Sequence, residues 1–180
     1  MENNFILKPR YVAVASFILM AALMRILPHP WNLSPVDAIA LFGGAQFRNK
    51  YAAFLFPLGV LLLSDCVLGF DASLFFVYPA YALIVCLGLL VGKNKSIGTI
   101  AAGTVSASLS FFLMTNFGVW AQQSMYPKTW AGLNACYVAA IPFFKGTLVG
   151  DALFVAALFG AFALVEKGFP QLRESSPATA

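Results

Sequence analysis

Apolar residues fall in long runs along this chain, separated by short polar and basic segments. In order, the runs are Tyr11 to Leu27, Val36 to Phe47, Tyr51 to Gly69, Leu74 to Gly92, Ile97 to Gly118 and Leu133 to Val165. A helix needs ~20 mostly apolar residues to cross the hydrocarbon core of a bilayer, within a range of roughly 17–25. The first, third, fourth and fifth runs meet that length. The last is too long for one crossing, and Pro142 and Gly146 predict a break in it. A final span is therefore expected over Gly146 to Val165, with residues 133–145 as an interfacial or re-entrant stretch before it.

The run from Val36 to Phe47 is short and glycine-rich, and as a re-entrant half-helix it leaves five spans. Charge placement favours six. With the N-terminus in the cytoplasm, six spans put Lys8, Arg10, Arg48, Lys50, Lys93, Lys95, Lys167 and Arg173 inside and only Lys128 in an outer loop. Basic residues stay on the cytoplasmic side during insertion, so this asymmetry predicts six crossings with both ends inside. Five crossings would place Arg48/Lys50 and Lys93/Lys95 on opposite sides. The expected fold is an all-α, six-transmembrane-helix bundle: a cytoplasmic N-terminus (1–10), a membrane domain (11–165) and a polar, disordered cytoplasmic tail (166–180). The basic start followed by an apolar run has the look of a signal peptide. The run is long, ends in Arg25 and has no A-x-A-like site before Pro28, so it is expected to be retained.

Composition agrees with the pattern. Of 180 residues, 61% are hydrophobic and 10% charged, against roughly 45–50% and about 25% in an ordinary soluble domain. A soluble globule and a nucleic-acid-binding domain are excluded on that ground. The net charge of +4 does not change this, because the basic residues lie in short clusters between apolar runs. Cys66, Cys86 and Cys136 are odd in number and far apart, which predicts no disulfide framework and no paired-cysteine zinc site.

Small residues mark where helices approach closely in lipid. Gly98 to Ser110 is rich in Gly, Ala, Ser and Thr, and Ala152, Ala156, Ala157, Gly160 and Ala161 recur at four-residue spacing. They predict either packing inside the bundle or an Ala-rich face for a partner membrane protein.

The informative residues are ionisable groups inside apolar runs: Arg25, Asp37, Asp65, Lys145 and Asp151. Such groups are expensive at membrane depth, and pair with one another or line a wet cavity. The alternating topology carries all five to the outer half of the bundle. Arg25 with Asp37, or Lys145 with Asp151, are expected as ion pairs if their role is structural. Asp65, beside Ser64 and near Gly69, has a helix-end capping role as its structural alternative. Asn32, Thr115, Asn116, Trp120 and Tyr137 fall on the same side. Belt positions account for single aromatics, but all three tryptophans gather there. A concave site with apolar and aromatic walls and a few converging polar groups is what a small-molecule pocket requires. His29, between two prolines, reads as a loop residue. No metal site is expected, and the weak candidate for a soft metal is Cys66. No phosphate loop, HExxH or GxSxG motif is present, so no ATPase or hydrolase chemistry is expected of this chain.

Four stretches carry a family resemblance: RILPHPWNLSPVDAIALFGGAQF (Arg25 to Phe47), PLGVLLLSDCVLGF (Pro57 to Phe70), FFLMTNFGVW (Phe111 to Trp120) and MYPKTWAGLNACYVAAIPFFKGTLVGDALF (Met125 to Phe154). The chain resembles a family of uncharacterised bacterial membrane transport proteins, itself similar to the substrate-binding S components of energy-coupling factor (ECF) vitamin transporters. The resemblance covers about residues 11–165. It implies a six-helix fold with both ends in the cytoplasm, an outer solute pocket closed by loops, and docking onto a coupling protein and ATPases. Many S components carry AxxxA in the first helix; the first span here, VAVASFILMAALM, has no alanine pair at that spacing. Solitary relatives include a cobalamin-transporting class with a cobalt-ligating cysteine, a role for which Cys66 is the nominee.

The expected function is thus uptake of a small, vitamin-like micronutrient across the bacterial inner membrane, without a cofactor or catalysis. The expected solute pocket comprises Arg25, Asn32, Asp37, Asp65, Thr115, Asn116, Trp120, Tyr137 and Asp151. Its alternatives are a membrane scaffold whose embedded charges are structural, a solitary corrinoid transporter and, last, a membrane enzyme.

Overall fold

The structure, a computed structural model, describes residues 9–27 and 34–173, without the side chain of Ile26. Among these residues it is all-helical: α1 (Pro9–Ile26), α2 (Val36–Gln46), α3 (Lys50–Leu68), α4 (Leu74–Val91), α5 (Ile97–Gln122) and α6 (Trp130–Gly168), then a 3-10 turn over Pro170–Leu172. Four helix starts follow from local chemistry. Pro9 opens α1 at the position where a missing N–H costs nothing. The Asn49 side chain accepts from the N–H groups of Tyr51 and Ala52, Ser96 from Thr99 and Thr129 from Gly132, so α3, α5 and α6 begin with capped donors. α3 ends at Gly69, whose φ of +100° is open to glycine alone at little cost.

Four of these helices, α3 to α6, are long and apolar enough to cross a membrane. The second apolar run differs from a full crossing. It forms 11 residues, about 16 Å at 1.5 Å per residue against a hydrocarbon core of ~30 Å. Every residue of α2 is buried, because other helices wall it on all sides. The long final run also differs from expectation. It does not break at Pro142 and Gly146; α6 is one helix of 39 residues, and residues 133–145 are its first half. Proline removes one backbone bond, at a cost of ~3 kcal/mol in a helix interior. A break in an apolar environment would leave several backbone groups bare at several kcal/mol each, so continuity wins.

The closest helix contact is between α2 and α4. Gly88 of α4 lies against α2 so tightly that a Cβ placed there would be 2.5 Å from the Leu41 carbonyl and 2.8 Å from Cα of Gly44. One turn on, a Cβ at Gly92 would be 2.8 Å from the Ala45 carbonyl. These glycines let two backbones touch, which is how helices associate where lipid supplies no hydrophobic drive. The small residues of α6 behave otherwise. Ala152, Ala156, Ala157, Gly160 and Ala161 are exposed, and three of them line an open groove with α5 instead of packing the interior. On α5 the buried small residues are Gly103, Thr104, Ala107 and Ser108. Cys86 is exposed.

Aromatic edges fill the centre: Phe42 of α2 meets Phe159 and Phe162 of α6 at 5.3 and 5.5 Å, and Phe17 of α1 meets Phe162 at 5.4 Å. At the end where α1 begins, Arg10 donates to Gln46 Oε1 (2.7 Å) and to the Leu172 carbonyl (2.5 Å), and pairs with Glu166. Lys95 also donates to Gln46, at 3.0 Å. Residues 166–173, expected to open a disordered tail, are therefore held against the bundle; the tail beyond, 174–180, lies outside the described residues.

Gly88→Ala is expected to lower the detergent melting temperature, with a loss of about 1–3 kcal/mol from overpacking against backbone that has no room to yield. Gly160→Ala meets open space and is expected to leave melting unchanged or slightly raised. Equal melting of the two variants would contradict the contact.

Candidate functional site

Short connections make successive helices antiparallel, so α1 and α3 finish at the end where α2 and α4 begin. A cavity of about 310 Å³ opens there, within the ~300–1,000 Å³ range of small-molecule sites. Its walls carry Arg25 from the last turn of α1, Asp37 from the first turn of α2, Asp65 from the last turn of α3 and Asp151 from the middle of α6. Val36, Leu68, Leu74, Val77 and Phe111 supply apolar surface, and Ser34, Ser73 and Thr147 hydroxyls.

Four of the nine residues expected in the pocket are brought together, and their pairing is specific. Arg25 Nη1 lies 2.7 Å from Asp65 Oδ1. It also donates to the Ser64 hydroxyl, which in turn donates to the Leu61 carbonyl at 2.8 Å. The other Asp65 oxygen, Oδ2, accepts from the Tyr78 hydroxyl at 2.9 Å. Asp65 is thus neutralised and hydrogen-bonded on both oxygens while only 1% exposed. The expected Arg25–Asp37 pair is replaced by Arg25–Asp65, because the last turns of α1 and α3 lie side by side.

The other two carboxylates have no such compensation. Asp151, 2% exposed, accepts a 2.5 Å hydrogen bond from the Ser108 hydroxyl of α5. Asp37, 3% exposed, has two buried oxygens, and neither receives a hydrogen bond. Their carboxyl groups neighbour each other across the α2–α6 interface. Lys145, expected as a partner of Asp151, is exposed, and no described cation pairs with either acid. At the rim, exposed Asp71 accepts from the Ser73 N–H at 2.6 Å. Hydrogen bonds from the Ser73 hydroxyl and N–H lower the Asp71 pKa from its ordinary value, so its charge is held at neutral pH.

A family model matches residues 5–172. The chain belongs to DUF6580, a family of unknown function. No curated protein and no solved structure matches it.

Within this DUF6580 chain the remaining expected pocket residues do not reach the cavity. Thr115 and Asn116 turn back onto α5, donating to the carbonyls of Phe111 (2.7 Å) and Phe112 (2.8 Å). Trp120 donates to the Pro127 carbonyl at 3.0 Å, and Tyr137 to the Leu113 carbonyl at 2.7 Å. All four are spent on backbone carbonyls, two within α5, one in the loop after it and one, from Tyr137, between α6 and α5. Asn32 lies outside the described residues, as does His29. Cys66 is exposed, and among the described residues no group of three His, Cys, Asp or Glu side chains is placed to hold a metal. Sequence reasoning missed Tyr78, Ser108 and Phe111. Ser108 stood in a small-residue stretch that reads as packing, and Tyr78 and Phe111 in plain apolar runs.

Removing one partner of the Arg25–Asp65 pair strands a buried charge, so Arg25→Leu alone is expected to destabilise by about 3–5 kcal/mol. The double variant Arg25→Leu/Asp65→Leu is expected to recover most of that loss. A thermal-melting double-mutant cycle measures this; simple additivity would contradict the pairing.

Proposed function

We propose that this protein is a membrane-embedded solute-binding component for uptake of a small, vitamin-like micronutrient across the bacterial inner membrane. The observation that carries the reading is the cavity at one end of the bundle, where three buried carboxylates and the half-buried Arg25, from four helices, converge. Groups so costly to embed are retained where they meet a solute or a wet path. The basic residues cluster at the opposite end and in the loops there, so positive-inside orientation turns the cavity outward with both chain ends in the cytoplasm. In this arrangement six helices form the bundle and α2 is its buried central element. The similarity to S components noted in the sequence supports the same reading, with a coupling protein and ATPases as the power source. The open small-residue groove between α5 and α6 offers such a partner a close-approach face.

Binding requires no chemistry on the solute. The Arg25–Asp65 pair fixes the wall, Phe111 and the aliphatic side chains exclude water, and Asp37 and Asp151 supply acceptors. A scaffold reading draws on the same Arg25–Asp65 pair as a structural tie, and one experiment separates the two. Protein purified in mild detergent is expected to release a small molecule on denaturation, identified by mass spectrometry. Asp151→Asn is expected to insert, stay monodisperse and release none. Wild-type protein that carries nothing, together with a variant that merely melts lower, would favour the scaffold.

A further inference from the structure

The uptake reading leaves the charge of the solute open, and the arrangement of acids addresses it. Among the described residues, the cavity wall contains four carboxylates, Asp37, Asp65, Asp71 and Asp151, and a single cation, Arg25. That cation is committed to Asp65 at 2.7 Å. What remains inside is Asp37 beside Asp151, both almost wholly buried, with one hydroxyl donor, Ser108, directed at the pair. The fully buried Tyr81 of α4 lies close by but adds no positive charge. Both oxygens of Asp37 are desolvated and receive no hydrogen bond from a described donor, at a residue that lines the cavity. A buried carboxylate in that state is costly, and a donor that reaches it offsets the cost.

On the basis of that uptake reading, we infer that the solute is a small organic cation whose head offers two adjacent N–H donors, such as an amidinium, a guanidinium or a protonated amino-heterocycle, seated on the free carboxylate of Asp37 and flanked by Asp151. Two free oxygens on one planar carboxylate match a two-pronged donor, the geometry that makes charge-assisted pairs strong. One proton shared between the two acids supplies a single hydrogen bond and leaves the second Asp37 oxygen bare. A bare metal ion fits less well: about 310 Å³ is roughly ten times the ~30 Å³ share of one water. Hard cations also take six or more oxygens, and among the described residues no three-carboxylate group is placed to hold one. Phe111, Val36 and Val77 give the body of the solute an apolar wall. Asp71 at the rim adds a fixed negative charge that draws cations toward the opening.

The test uses three probes of nearly one shape and different charge, benzamidinium, benzamide and benzoate, with sodium and calcium chloride as ion controls. Binding to the full chain in detergent, stripped of co-purifying material, is followed by thermal shift and calorimetry. Benzamidinium is expected to stabilise the protein and to bind at least about tenfold more tightly than benzamide, the step one charge-assisted contact provides. Benzoate and the salts are expected to give no shift. Asp37→Asn is expected to remove the preference for benzamidinium over benzamide, and Asp71→Asn to keep it. The wild-type rank order tests the proposal even if Asp37→Asn fails to fold. Stronger binding of benzamide or benzoate would overturn the cationic assignment while leaving a solute pocket in place. A shift with calcium or sodium alone, or none with benzamidinium, would also overturn it. The uptake reading is judged separately, by whether any small molecule co-purifies.

Discussion

A carboxylate enclosed by helices and shut away from water must be neutralised, hydrogen-bonded or matched by something that enters from outside. Among the described residues this chain encloses three. Asp65 is satisfied within the protein by Arg25 and Tyr78. Asp151 has one hydroxyl donor, Ser108, and Asp37 has none. That inequality gives the cavity its chemical character: one acid is tied into the wall, and two lack a described cation. An Arg25 pairing with Asp37 would instead have neutralised the acid that now has no donor.

The bundle is organised to hold this inequality. α2 is short, wholly buried and clamped to α4 through Gly44, Gly88 and Gly92. Its first turn presents Asp37 at the mouth, while its last turn ends in Gln46, which Arg10 and Lys95 hold from the opposite end. α6 passes alongside, giving Phe159 and Phe162 to the core around Phe42 and Asp151 to the cavity. Movement of α2 along its own axis would therefore disturb the aromatic centre and the acid pair together. The position of Asp37 is fixed by packing, since no hydrogen bond holds its side chain.

Much of this was legible in the sequence, for identifiable reasons. Long apolar runs fix helices, and alternation of direction brings the ends of the first and third to the starts of the second and fourth. Arg25, Asp37 and Asp65 meet for that reason, and Asp151 joins them from α6. Side-chain partners were not legible. Whether Arg25 reaches Asp37 or Asp65 depends on the rotation of α1 against α3, which hydropathy does not encode. Thr115, Asn116, Trp120 and Tyr137 have the chemistry of binding residues, yet each is occupied by a backbone carbonyl of the α5–α6 hairpin or its loop. Composition alone does not separate a polar side chain that serves a ligand from one that satisfies its own helix. Pro142 misled for the opposite reason: a rule learned from helices in water overstates how readily a helix breaks in apolar surroundings.

The most direct measurement is an experimental structure of the full chain in lipid nanodiscs, purified without stripping bound material. The account predicts Arg25 on Asp65, the carboxyl groups of Asp37 and Asp151 facing one cavity, and density for a compact non-lipid molecule between them and Phe111. Asp37 and Asp151 directed apart, or toward lipid, or a protein cation seated on both, would contradict it.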